Sequence, residues 1–259
     1  MPHPFPLIPQ PPGDWKDVFD NFPIEMAIAH NIFIRGINAI YAQVGEIQGD
    51  QVKPFTFFCS CFFSMLHHHH HLEETLIFPI LESHMGENAM GHNVEQHHGF
   101  MDGLKDLEEY LTAIQEEKAS FGASTVLEKL DSFSELLVEH LREVSFESLF
   151  EDPAEIEPQE MNTIETSKIR AALTEKDLHD MNAQISAVSM KELSLTTTLP
   201  MVLLCNDKAM APHFPPLPAP ALWLAKYVLY YLHRDAWVFA PCDINGVLKP
   251  GLGNDTLHE

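Results

Sequence analysis

Between residues 22 and 150 apolar side chains recur every three or four positions, the period of helices that bury one face. The first such stretch, Ile24 to about Val44, puts Ile37, Ile40, Tyr41 and Val44 on one stripe. "GEIQGDQVKP" interrupts it. A second helix is predicted from near Pro54, which a first helical turn tolerates, to about Ser83. After "HMGENAMG" a third carries Phe100, Leu104, Leu107, Leu111 and Ile114 on one face. "SFGAS" closes it, and Ser124 is the expected N-cap of a fourth, whose stripe is Val126, Leu130, Phe133, Leu137 and His140. Four long amphipathic helices with short connections predict an all-α, antiparallel four-helix bundle.

The chain on either side is patterned differently. Residues 1–21 are rich in proline and read as an irregular arm. The acidic, proline-containing "EDPAEIEPQE" marks a boundary near residue 150. Residues 151–259 read as an extension packed on the bundle. It holds a helix from Thr174, a candidate cap, to about Met190, and another from Ala219 to Leu232 between prolines.

Lys and Arg total 15 against 38 Asp and Glu, a net charge of −23 that disfavours nucleic acid and anionic membranes as partners. No run reaches the roughly 20 apolar residues of a membrane span. The N-terminus has neither the basic start nor the apolar core of a signal peptide. Four cysteines in a chain of this length do not make a disulfide framework and read as reduced thiols. These features together predict a cytoplasmic location.

The chemistry concentrates in "SMLHHHHHLEETLIFPILE", residues 64–82. Five successive helical residues sweep about 400°, so at most two of the histidines face the interior. His69 with Glu73 and His70 with Glu74 each lie one turn apart on neighbouring stripes, a spacing that lets both side chains reach one metal. Each remaining helix of the bundle offers a histidine on its apolar side: His30, His97 and His140, with Glu143 three residues after the last. One buried histidine is ordinarily a neutral core residue, but four converging on shared carboxylates indicate a metal site. Imidazole and carboxylate without a convergent thiolate suit iron or manganese better than zinc.

The motifs "AIAHN" around His30, "HHxxEExxxFP" from His69 to Pro79, "EQHHGF" around His97 and "VEHLRE" around His140 resemble the hemerythrin-like, or HHE cation-binding, family. The resemblance covers about residues 22–150. The tail, with "WVFAPCD" at 237–243, is similar to the extension of fungal members. The resemblance implies a non-haem centre of two iron ions inside the bundle, bridged by a second-helix glutamate and a fourth-helix acid. One metal ion, or manganese, is the alternative. Aligning on Phe78-Pro79 selects His69 and Glu73, with His70 and Glu74 in reserve, and leaves His67, His68 and His71 mostly at the surface or behind the ligands.

The chain departs from the family pattern in two places. The acid usually found four or five residues after the fourth-helix histidine is replaced by Val144 and Ser145, which leaves Glu143, or Glu147 after a bulge. On the third helix the positions around His97 that often hold a second histidine are Asn93 and Met101. The expected ligands are therefore His30, His69, Glu73, His97, His140 and Glu143. A site short of protein ligands leaves positions for dioxygen and a substrate, which favours oxidation or oxygenation of a small apolar molecule over reversible carriage. A non-catalytic oxygen- or iron-binding or sensing protein is the alternative. Trp223, Tyr227, Tyr230, Tyr231 and Trp237 of the extension are expected to cover one end of the bundle and shape a pocket, which Asp207 and His213 could approach.

Overall fold

The computed structural model describes residues 4–145 and 166–252, and among these the regular structure is helical, with only an isolated bridge between Cys242 and Leu248. Helix α1 (Val18–Gln43) starts four residues before the expected boundary at residue 22, because Asp17 accepts a bond from the Phe19 N–H and caps it. Helices α2 (Val52–Leu72) and α3 (Phe78–Met85) form one rod joined through a π turn at Glu73–Ile77. Pro79 explains that turn. It has no N–H, and its ring would collide with the carbonyl four residues earlier, so the coil widens just ahead of it.

Helix α4 is Gly91–Gln115. The fourth predicted helix is instead two pieces, α5 (Ala123–Asp131) and α6 (Ser134–Ser145). The break buries Phe133 and brings Ser134 and Asp131 to the Tyr41 hydroxyl. Ser124 is not the cap: Gly122 holds that position with no side-chain bond, its N–H donating to the Tyr110 hydroxyl. Helix α1 packs on α2 and α6, and α4 packs on α2 and α6, which closes the four-helix arrangement.

The main core runs through all four rods, with Ile34, Ile37, Phe62, Phe63, Leu66, Phe100, Leu104, Leu130 and Leu137 almost fully enclosed. Gly36 lets α1 and α2 come close: a Cβ there would lie 2.2 Å from the Phe62 ring. The arm is fastened to α1 rather than loose. Asn31 and Asn38, two turns apart and buried, each bond to both the N–H and the carbonyl of one arm residue, Ile8 and Phe5 respectively. The side-chain amides thus satisfy backbone groups that burial would otherwise leave unpaired.

In the extension, α7 (Thr166–Ala172) precedes α8 (Glu175–Glu192), which begins as expected at Thr174 with a reciprocal capping box to Asp177. Ile169, Leu173, Leu178 and Met181 of this pair form a second core with Phe22, Met26, Ile77, Phe78, Leu81 and Met90, and so close one end of the bundle. Full burial of each such side chain contributes roughly 1.5–3 kcal/mol. Helix α9 (Thr198–Cys205) lies on α1 and α2, and α12 (Arg234–Trp237) on α2. Between them, α10 (Ala219–Leu224), a π turn and α11 (Tyr230–Leu232) continue as one helix.

The aromatic residues of the extension divide. Trp237 is fully buried beside Phe57 and Tyr230 packs on the main core, but Trp223, Tyr227 and Tyr231 are exposed. The proline-rich boundary and Glu147 lie outside the described residues. Among those residues no helix is long and apolar enough to cross a membrane.

Candidate metal centre

Each histidine on an inward stripe arrives at the same level of the bundle. His30 comes from α1, His69 and His70 from the last turn of α2, His97 from α4 and His140 from α6. Glu73, the first residue of the π turn, stands at the centre with 0% exposure. On a helix it neighbours both His69, four residues back, and His70, three residues back. The two alternatives of the sequence reading therefore merge around one acid.

Glu73 divides the imidazoles into two groups. Its Oε1 lies 3.3 Å from His69 Nε2 and 3.6 Å from His30 Nε2. Its Oε2 lies 3.3 Å from His97 Nε2 and 3.9 Å from His140 Nε2. Ligand atoms of His30, His69 and Glu73 all fall within 4.8 Å of one another, and so do those of His70, Glu73, His97 and His140. Neither oxygen of Glu73 and neither ring nitrogen of His70 has a hydrogen-bond partner, although all four atoms are buried. Such groups are costly to bury unless something positive meets them.

The outer ring nitrogens fix which way the lone pairs point. His30 Nδ1 donates to the Leu141 carbonyl at 2.6 Å, His97 Nδ1 to Glu74 at 2.6 Å, and His140 Nδ1 to the Gln96 amide oxygen at 3.1 Å. With Nδ1 protonated, the neutral ring turns an unshared pair inward at Nε2. Yet His97 and His140 bring their Nε2 atoms to 2.9 Å, as do His30 and His69. Facing lone pairs at that distance repel unless a proton or a metal ion lies between them. The donor set therefore fits a cation in each group, and anchoring of the outer nitrogen is the usual way a protein orients metal-binding imidazole.

Burial pulls His30 and His70 below the ordinary histidine range and His140 down to about 4. His97 moves up, because Glu73 and Glu74 outweigh its burial. Glu73 sits well below the usual carboxylate range: burial raises it, but the surrounding imidazoles outweigh that. The site thus holds an ionised carboxylate and mostly neutral imidazoles, the forms that bind metal. Phe33 packs on His69, Phe78 stacks on His97, and Phe100 touches His70, His97 and His140, so the surround is apolar.

Metal-free protein should therefore be acid-labile. The unfolded chain takes up protons on histidine near 6.5, whereas the folded chain resists this at His30, His68, His70 and His140; His97 works the other way. Stability is fully present above 6.5 and falls as the pH drops toward 4, with Glu73 adding its own loss at the acid end. Thermal melts of chelator-treated protein check this, and a melting temperature that is flat or rising between pH 6.5 and 4 contradicts it.

Glu143 and His70 lie differently from what the spacing suggested. Glu143 does not enter the centre: its side chain is 42% exposed, 3.3 Å from His92, and accepts a bond from the Gln96 amide. Leu136, two turns before it on α6, is likewise 47% exposed. His70, held in reserve, stands inside. Glu74, also in reserve, bonds to the outer nitrogen of His97 and joins neither group. Gln96 was missed, although it sits beside His97 in "EQHHGF"; it links Glu143 to His140. Glu143→Gln should accordingly lower metal affinity by less than about tenfold, since it acts through Gln96 rather than on metal. Loss of a full equivalent of metal in that variant would show that Glu143 turns inward. Of the run's other histidines, His67 pairs with Glu108 at 2.6 Å, His68 lies 3.6 Å from Glu192, and His71 is exposed. Asn93 is buried with its amide oxygen unpaired, and Met101 is packed against the core.

A helical bundle with imidazoles gathered around one buried carboxylate defines a cation-binding helical protein. The model of the hemerythrin HHE cation binding domain matches residues 25–147, the stretch that holds the bundle and its histidine cluster. A curated relative, the "Dimeric xanthone biosynthesis cluster protein R11" of Cryptosporiopsis sp. (strain 8999), is 28% identical over 255 residues, covering 94% of this chain and 88% of its own. No solved structure matches.

Proposed function

We propose that this protein holds two iron ions and uses dioxygen to oxidise or oxygenate a small apolar organic molecule, as a step in secondary metabolism. The observation that carries the reading is Glu73, a buried carboxylate with one oxygen toward each of two histidine groups. His30, His69 and Glu73 would hold one ion, and His70, His97, His140 and Glu73 the other. Iron at these positions would supply electrons for reduction of dioxygen. The protein's part is to fix the imidazoles through Leu141, Glu74 and Gln96 and to exclude water with Phe33, Phe78 and Phe100. The name of the relative, which places it in a xanthone biosynthesis cluster, supports an aromatic substrate.

A second reading, a binding or sensing protein without turnover, is favoured by one observation. Of the candidate ligands only His69 is appreciably exposed, its side chain at 14%. Metal analysis comes first: protein from iron-replete cells, purified without chelator, should hold more than one equivalent of iron per chain. Less than roughly 0.3 equivalents of any transition metal sinks both readings. Dioxygen uptake with a panel of xanthone-related aromatics then separates them, since a binding protein shows no substrate-dependent consumption.

A further inference from the structure

Arg35 is a buried cation whose charge the protein answers only in part. It lies five residues after His30 on α1, about 140° round the helix, and therefore away from the metal centre. Its side chain is 3% exposed, and its nearest carboxylate, Asp207 Oδ2, is 3.9 Å from Nη2. The same Nη2 is 2.9 Å from the Met210 sulfur, and Nε has no partner. Asp207 meanwhile turns Oδ1 to the Ala209 N–H. A guanidinium keeps its proton and five N–H donors under all ordinary conditions, so burying it with donors unmet is costly unless an anion joins it.

Space for one lies next to it. Arg35 lines a recess with room for about one water-sized group. Gln10, Ile28, Met210 and Ala211 line both this recess and a wider cavity of about 300 Å³ between the arm, α1 and the loop after α9. The wider cavity is walled by Ile24 and Phe214 and by Trp15 stacked on His213, ring centroids 4.3 Å apart and planes 13° from parallel. Largely apolar walls next to a small recess lined by one cation are the features of a small-molecule site. A guanidinium fork matches a carboxylate in particular. Glu25, on the wall of the wider cavity, repels a carboxylate there but can accept from a hydroxyl, which orients the ligand.

We propose that this cavity binds a hydroxylated aromatic carboxylic acid, with one carboxylate oxygen in the recess at Arg35 and its ring in the wider cavity beside Trp15 and His213. The site is separate from the metal centre and takes its ligand whether or not metal is bound. It also gives Asp207 and His213 a place: His213 lines this cavity, Asp207 faces Arg35, and neither is part of the histidine cluster.

Isothermal titration of the full chain with 4-hydroxybenzoate, its methyl ester and inorganic phosphate tests this. The acid should bind, with ester and phosphate each at least about tenfold weaker, as expected for one charge-assisted contact plus ring burial. Arg35→Gln should erase the preference for acid over ester. Trp15→Ala, at a position 38% exposed and thus safe for folding, should weaken acid and ester alike by several-fold and leave their ratio unchanged. Metal content should be the same in both variants. Equal affinity for acid and ester, phosphate binding as tightly as the acid, no binding of the acid at millimolar concentration, or a Trp15→Ala variant that binds normally would each overturn the proposal.

Discussion

Glu73→Gln should remove metal from both histidine groups at once. The amide is nearly the same shape as the carboxylate, so packing against the π turn is kept. What is lost is the negative charge and the second equivalent oxygen, and each oxygen faces a different pair of imidazoles. A substitution of residues that merely orient ligands costs ten- to a hundredfold in affinity, and removal of a shared anionic ligand should exceed about a hundredfold at both positions. The metal-free variant should melt below the metal-free parent at neutral pH, because the ionised carboxylate is held by the surrounding imidazoles, and the difference should shrink as the pH falls. Titration with ferrous iron under anaerobic conditions, followed by elemental analysis, reads the outcome. Retention of one full equivalent would show that Glu73 serves a single ion and does not join the groups.

The second large effect concerns the two histidines that precede it. His69→Ala should cost the metal held with His30 and leave the group of His70, His97 and His140; His70→Ala should do the reverse. Each variant is expected to keep about half the parent's metal, and the pair together none. His67→Ala is the control: its partner is Glu108 near the surface, and substitutions there cost under about 0.5 kcal/mol. If His70→Ala binds metal like the parent, the buried, unpartnered His70 ring is packing against Phe100 and is not a ligand.

These expectations rest on features that differ in how far they could be read along the chain. The stripes of α1, α2 and α4 were legible because a helix that buries one face must repeat its apolar residues every three or four positions, whatever its partners are. The same rule put His30, His97 and His140 inside. It placed the cap of α8 at Thr174 too, since a capping box is a local exchange of bonds. It did not show the break at Ser132–Phe133, where no glycine or proline announces a change and the bond from Tyr41 to Ser134 comes from another helix.

At the centre, sequence spacing determined that a histidine and a glutamate of the second helix share a face, but it gave no sign of the π turn ahead of Pro79. It left open whether His69 or His70 is the inward residue, because the answer depends on what surrounds the helix on both sides. Only the packed structure shows that Glu73 takes both, one group approaching from α1 and the other from α4 and α6. Glu143 shows the opposite limit. Its spacing from His140 allowed an inward position, but Gln96 on a neighbouring helix and solvent hold it at the rim. Periodicity fixes which side of a helix faces the core. How deep a side chain reaches, and which partner it finds there, is decided by the other helices.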